Sequence, residues 1–525
     1  MNNKRITLAP SLVRWSTTLA LLIVLLMATV FLAQPRARTA ALSATTGPDF
    51  EAIDRFVETE MEAQGIPGLA LGIVHGDQIV HLGGFGLADP AGRAVTPQTP
   101  FILGSTTKSF TALAVMQLVE AGKIELDAPV QRYIPWFRVA DEAASAQITV
   151  RHLLNQTSGF STAAGRRESI DFDTSAAALE NRVRRLSEVE LTQPVGTTYQ
   201  YSNCNYQVLG LIVQMVSGQD YEHYVQQHIL TPLAMPNSFT SKTAAQAHGL
   251  ATGHQAVFGQ PLAFDEPFPR GSISSGFLIS SAEDMSHYLI AHLNDGRYGE
   301  AAILSAAGMA DLHRPAAQQG ESETAYAMGW EVGPLNGVPT VWHDGDTFSF
   351  HTFMVLVPET GWGVVVLSNA NNIPATARFQ TIAPNIVNLL VGRQPMVEHV
   401  YDSLMVHSIV VGLVVIQILG MIRSVVLFRR WRNQPQHQPT GWLSRGWQIA
   451  LPLVLNLLWA CFILVGLPRI FAPLPALLWG IPDLGYMLVG SGLLALGWGV
   501  IRTGWAFVVL RQGRAKTPAP MPVTA

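Results

Sequence analysis

Three long apolar runs toward the C-terminal end constrain this chain more than any other feature. They extend from Leu404 to Ile422, from Gly446 to Pro468 and from Leu484 to about Leu510, the last with Arg502 near its end. Each supplies the roughly 20 apolar residues that a hydrocarbon core of about 30 Å requires. A soluble helix carries a polar face, so three successive runs without one predict membrane spans. A fourth uncharged run, Trp15 to Gln34, predicts a signal anchor or signal peptide over residues 1–34, with small residues around Ala40 to Ala44 that resemble a cleavage region.

Basic residues beside these runs set the expected orientation, because short cytoplasmic loops are enriched in Lys and Arg. Lys4, Arg5 and Arg14 place the N-terminus inside, as Arg423, Arg429, Arg430, Arg432 and Arg445 place the loop between the Leu404–Ile422 and Gly446–Pro468 runs. Arg511, Arg514 and Lys516 do the same for the tail, while Arg36 and Arg38 run slightly against the rule. Four crossings satisfy these constraints. The division expected is a linker at 35–48, an exported domain at 49–396, three transmembrane helices at 403–511 and a cytoplasmic tail at 512–525. A net charge of -4 and a pI near 6.4 give no sign of a nucleic-acid partner. The two cysteines, Cys204 and Cys461, are not expected to pair.

The exported part reads as a single α/β (α+β) unit. "GLALGIVHGDQIVHLGGFG" holds two β-rich runs joined by a His-Gly-Asp turn, and "TVWHDGDTFSFHTFMVLVPETGWGVVVLSN" holds two or three more strands. Helices such as "NYQVLGLIVQMVSG" and "SAEDMSHYLIAHLNDG" lie between, the second with Ser281 as N-cap and Asp284 three residues on. Strands at both ends with helices in the middle predict an antiparallel sheet built from both termini, flanked by helices and packed on a helical subdomain.

Five lysines stand against twenty-eight arginines, and one of the five, Lys108, lies three residues after Ser105 in "GSTTKSFTALAVMQLVEAG". That segment is apolar on nearly every side, so it predicts a buried helix stopping at Gly122. Residues three apart share a helix face, which puts the lysine within reach of the serine. A serine hydroxyl needs a base to become a nucleophile. Lysine serves once burial lowers its pKa; arginine stays protonated and cannot. Two further motifs supply matching parts: "YSN" (Tyr201 to Asn203) in a loop before a helix, and "HDG" (His343 to Gly345) at the start of a predicted strand.

With these motifs the sequence resembles the serine β-lactamase-like family, which includes class C β-lactamases, D-alanyl-D-alanine carboxypeptidases, D-aminopeptidases and related esterases. "LVEAGKIELDAPVQRYIP", "ITVRHLLNQTSGF", "PVGTTYQYSNCNYQVLGLIVQMVSG" and "SISSGFLISSAEDM" follow as similar blocks in the same order, over about residues 50 to 395. The resemblance implies Ser105 as acylated nucleophile, Lys108 as its base partner and Tyr201 as proton relay to the leaving group. It implies Asn203 as orienter of the substrate amide, and the N–H groups of Ser105 and Asp346, after Gly345, as the oxyanion hole. His343 stands where a "KTG" motif has lysine, a departure that argues against strong β-lactamase activity. With the spans and their flanking basic residues, the location expected is the bacterial inner membrane, with the active site on the periplasmic side.

The function expected is therefore a membrane-anchored serine hydrolase forming an acyl-enzyme on a small peptide, amide or ester substrate, in particular a D-amino-acid peptide. It needs no cofactor and no metal. The exported domain followed by three spans is similar to colibactin-type prodrug-activating peptidases, which remove an acyl-D-asparagine cap. A β-lactamase or penicillin-binding receptor and an inactive ligand-binding module are the alternatives. Against a signalling receptor, the cytoplasmic loop has only about twenty residues and the tail about fifteen. The spans are candidates for anchoring, substrate binding or a homodimer contact. Cys204 reads as a buried thiol and "YAMGW" (Tyr326 to Trp330) as core. Arg166, Arg167, Arg182, Arg184 and Arg185 read as a solvated surface, and the pairs His75/His81 and His287/His292 lack a third metal ligand.

Overall fold

The structure, a computed structural model, describes residues 48–167, 172–371, 379–396, 403–470 and 473–514. The expected N-terminal span at Trp15 to Gln34, with its flanking basic residues, lies outside them, as does the tail from 515. The chain divides into two compact units, one essentially residues 41–400 and the other holding the apolar helices.

In the first unit, helix α1 (Phe50–Gln64) precedes the hairpin of β1 (Gly68–His75) and β2 (Gln78–Gly86), which turns at Gly76 and Asp77 as the His-Gly-Asp signal predicts. The middle of the chain is helical: α2 (Thr107–Glu120), α3 (Asn203–Ser217) and α4 (Ala282–Leu293). Gly122, at φ 68°, follows the end of α2, and the Ser281 hydroxyl accepts from Asp284 N as the N-cap of α4. The chain then returns to the sheet through β3 (Ala317–Gln318), β4 (Ala325–Tyr326), β5 (Glu331–Leu335), β6 (Val338–Asp346), β7 (His351–Val357) and β8 (Trp362–Ser368). Helix α5 (Ile382–Leu390) follows.

Among the described residues these strands form one antiparallel sheet of order β2-β1-β8-β7-β6-β5-β4-β3, so the first and last strands pair side by side, one strand in from the β2 edge. Side chains alternate across a strand, and β1 is buried on both sides. Leu69, Leu71 and Ile73 pack in the cluster that contains Ile53 and Val57 of α1 and Ile386 of α5. Ala70 and Val74 belong to the larger core with Leu113 of α2 and Leu289 of α4. The sheet thus has α1 and α5 on one face and the helical region on the other.

His343 lies near the C-terminal end of β6, not at a strand start. The strand begins earlier because Asn336 (φ 52°) and Gly337 (φ 74°) make a two-residue turn with both φ positive between β5 and β6.

Among the described residues the second unit contains three helices long and apolar enough to cross a membrane: Met405–Asn433 within α6 (Ser403–Asn433), α7 (Trp442–Ile470) and Pro482–Gln512 within α8 (Pro482–Arg514). Phe428, Trp431, Ile449, Ala506 and Val509 form its buried cluster, while Ile416, Leu458 and Val500 are exposed, as lipid-facing side chains are.

Candidate active site

Ser105 opens the site on a single 3₁₀ turn, Gly104–Thr106, that runs directly into α2. Gly104 has a left-handed φ of 57°. A Cβ there would stand 2.6 Å from Asp346 N, so only glycine lets the serine turn lie against the end of β6. Gly345 meets the same constraint from the strand side, since a Cβ on it would stand 2.1 Å from Leu103 O and 2.9 Å from Ser105 N. The backbone nitrogens of Ser105 and Asp346 are thereby brought to one place. The Asp346 carboxylate accepts from His351 Nδ1 at 2.8 Å and from Asn371 Nδ2 at 3.0 Å, which anchors the strand end.

Lys108 is buried at 0% exposure. Its Nζ lies 2.9 Å from Ser105 Oγ, donates to the Ser275 carbonyl at 2.7 Å and sits 4.8 Å from the centre of the Tyr201 ring. Burial draws its pKa down to about 7, with the Asp344 carboxylate opposing. The carbonyl of Ser275 comes from a short helix, Ile273–Gly276, within the "SISSG" block.

Tyr201 and Asn203 arrive on the loop into α3. Gln156, itself at φ 58°, clamps that loop: its Oε1 accepts from Ser202 N at 2.9 Å and from Asn205 Nδ2, and its carbonyl accepts from Gln200 N at 2.8 Å. The Thr162 hydroxyl donates to the Tyr201 carbonyl at 2.7 Å. Burial pushes the Tyr201 phenol well above its ordinary pKa, a hydrogen bond with Ser105 opposing. Asn203 is the first residue of α3, and its Oδ1 is buried without a hydrogen-bond partner among the described residues.

His343 is 1% exposed. Its Nδ1–H donates to the Asp344 carbonyl, leaving Nε2 to accept from the Tyr326 hydroxyl at 3.4 Å. Its ring centre is 6.3 Å from that of Tyr201. Burial, and then Lys108, draw its pKa down to about 3, so the ring is neutral at pH 7. Burial and then Asp344 push nearby Glu331 up to about 8.

Ser105, Lys108, Tyr201, Gly345 and Asp346 therefore converge between the helical region and the β6 end of the sheet, with His343 in the wall behind Tyr201. Sequence reasoning missed three contributors: Gln156, the Ser275 carbonyl and Tyr326. Tyr326 is buried as expected of "YAMGW", but it is also the hydrogen-bond partner of His343. Cys204 is buried, as read. The solvated-arginine reading needs correction at Arg182, which is buried and donates to Ser272 Oγ at 2.7 Å; Arg184 remains exposed over Trp136. The Arg167 side chain lies outside the described residues. Among the described residues no group of three or more His, Cys, Asp or Glu side chains is arranged to hold a metal ion.

A sheet closed by both chain ends, with a serine and a lysine one turn apart against its edge, defines the class of β-lactamase-like proteins, which are in general serine hydrolases. The chain belongs to the beta-lactamase family, whose model matches residues 53–384. It is 29% identical over 353 residues to Protein flp of Staphylococcus aureus (strain MW2), covering 65% of this chain and 68% of that protein. It is 30% identical over 341 residues to Penicillin-binding protein 4 of Amycolatopsis lactamdurans, covering 63% of this chain and 88% of that one. Among solved structures it is similar to the octameric penicillin-binding protein homologue from Pyrococcus abyssi, with a TM-score of 0.57 and 27% identity over 66% of this chain and 78% of that chain.

Proposed function

We propose that the protein is a membrane-anchored serine hydrolase whose active site faces away from the cytoplasm and cleaves a peptide, amide or ester through an acyl-enzyme. The observation that carries this reading is the 2.9 Å contact between Lys108 Nζ and Ser105 Oγ, made by a lysine held near pH 7 by burial. Neutral Lys108 takes the Ser105 proton as Oγ bonds to the substrate carbonyl carbon. The N–H groups of Ser105 and Asp346 receive the oxyanion, the interaction that contributes most in such sites. Tyr201 passes the proton to the departing amine or alcohol, and water then releases the acyl group by the reverse relay. Asn203, with its buried acceptor, holds the substrate amide N–H.

The penicillin-binding relatives support a D-amino-acid peptide as the substrate class. The three apolar helices after the domain support, within that class, a prodrug-type acyl-D-amino-acid peptide. A fluorophosphonate probe on the full chain in detergent should label the wild type and not Ser105→Ala. Equal labelling of both would remove the nucleophile. A panel of D-amino-acid peptides, acyl-D-asparagine amides and short esters then identifies the leaving group.

A further inference from the structure

The unit of apolar helices contains a charged side chain that the catalytic reading does not use. Arg502, on α8, is 4% exposed. Its Nε donates to Ser424 Oγ at 2.9 Å, one terminal nitrogen donates to the Gln448 carbonyl at 2.7 Å, and the Phe428 ring centre lies 5.3 Å from its Cζ. The other terminal nitrogen, Nη1, is buried with no hydrogen-bond partner among the described residues. The sequence between 403 and 514 contains a single acidic residue, Asp483. That carboxylate bonds to His407 at 2.6 Å, and its nineteen-residue separation from Arg502 puts it roughly 28 Å away along α8. Among the described residues this unit therefore provides no carboxylate for Arg502.

Arg502 lines a cavity of about 470 Å³ between α6, α7 and α8. The exposed Arg423 lines it too, as do Gln417, Asn456 and Trp447. Gln417 Nε2 is committed to the Ser491 carbonyl at 2.9 Å, while its Oε1 is buried and has no partner among the described residues. The cavity thus combines two cations, an unused N–H donor and an unused acceptor, with no anion. Its depth is informative. Arg502 precedes Arg511 by nine residues, roughly 14 Å of helix, so it lies toward the end of the helices that carries Arg429, Arg430, Arg445 and Arg511. Charged side chains inside a membrane are costly unless they pair or face a polar cavity, and basic pockets between helices near the interface suit acidic headgroups.

We propose that this cavity is a lipid site that seats the phosphate of an anionic phospholipid on Arg502 and Arg423. An acyl chain follows the apolar side of the cavity past Leu413 and Leu455. A zwitterionic lipid fits less well, because its own cation would approach two arginines.

The test uses the full chain, delipidated in detergent and offered phosphatidylglycerol and phosphatidylcholine at equal mole fraction, with retained lipid read by native mass spectrometry. The wild type should retain phosphatidylglycerol in preference to phosphatidylcholine. Arg502→Gln, checked for folding by thermal melting, should lose retention roughly fivefold or more, the scale of one basic residue at a membrane surface. Arg423→Gln alters an exposed rim residue, keeps the test open if the first variant does not fold, and should reduce retention in the same direction. Equal retention of the two lipids, or undiminished phosphatidylglycerol on a folded Arg502→Gln or on Arg423→Gln, would overturn the proposal. So would inorganic phosphate alone raising the melting temperature as much as phosphatidylglycerol does, since the site would then recognise the ion and not the lipid.

Discussion

Lys108 Nζ stands 2.9 Å from Ser105 Oγ, one helical turn along the chain, on a side chain with no exposed surface. Burial and proximity work together here. In water the amine would remain charged far above neutrality, whereas at a pKa of about 7 half of it is free to accept a proton near pH 7. The Ser275 carbonyl aims the nitrogen by accepting one of its N–H groups in either protonation state.

The first expected outcome follows in sign. The neutral fraction of Lys108 grows as pH rises through about 7, so kcat/KM for a small ester should climb with pH, with a midpoint near 7, and level off above it. Lys108→Arg should be nearly as inactive as Lys108→Ala, because a guanidinium stays protonated throughout. Substantial turnover by the arginine variant would mean that charge alone suffices, and Tyr201 would become the base to examine.

At the strand edge, Gly345→Ala tests the oxyanion hole. The added Cβ would meet Leu103 O at 2.1 Å and Ser105 N at 2.9 Å, both backbone atoms, so β6 must move away from the serine turn. Losing one oxyanion donor costs about 10²–10³ in kcat. A comparable fall in kcat with a much smaller change in KM is expected from steady-state kinetics, and a variant within twofold of wild type would contradict the assignment.

Gln156→Ala addresses positioning and not chemistry. Its Oε1 accepts from Ser202 N and Asn205 Nδ2, both buried, and each stranded donor costs about 1–3 kcal/mol. The variant should melt lower and lose kcat, because the loop carrying Tyr201 loosens, while its pH midpoint stays where Lys108 sets it. A shifted midpoint would show that Gln156 acts on the base.

The sequence exposes these parts unevenly. The β1–β2 turn, the Ser281 cap and the Ser105–Lys108 spacing are local patterns, and local patterns are what a linear reading detects. The "HDG" motif reads as a strand start only when the Asn336-Gly337 turn, an available hairpin signal, is left out of account. Ser275 acts through its carbonyl, which no side-chain pattern advertises. Arg182 belongs to a basic cluster in sequence yet turns inward to Ser272, and only the packing of the helical region decides that. Gln156 adopts a left-handed conformation that a glutamine seldom takes, so nothing in its neighbours marks it as the clamp.

Topology gives a fourth outcome. The basic residues at the facing ends of α6 and α7, Arg423 to Arg445, and those at the end of α8 and just after it, Arg511, Arg514 and Lys516, predict that these segments are cytoplasmic and that the catalytic domain is outside. Protease added to intact spheroplasts should digest the 49–396 domain and leave a C-terminal tag uncut. Loss of the tag from sealed cells would refute the arrangement.

His343 supports the last prediction. A cation at its position would help receive a β-lactam carboxylate, but its ring is buried, donates Nδ1–H to a carbonyl and titrates at about 3. It is therefore neutral at any working pH and offers a carboxylate little attraction. The full chain in detergent should hydrolyse a chromogenic cephalosporin far more slowly than its best ester. Its pH profile should show a single acid limb, the one that Lys108 sets near 7, with none added by His343. The outcome that would sink this argument is cephalosporin turnover matching the ester together with a second acid limb, besides that of Lys108, that Tyr326→Phe displaces, since the imidazole would then be charging in the cleft with the Tyr326 hydroxyl as its partner.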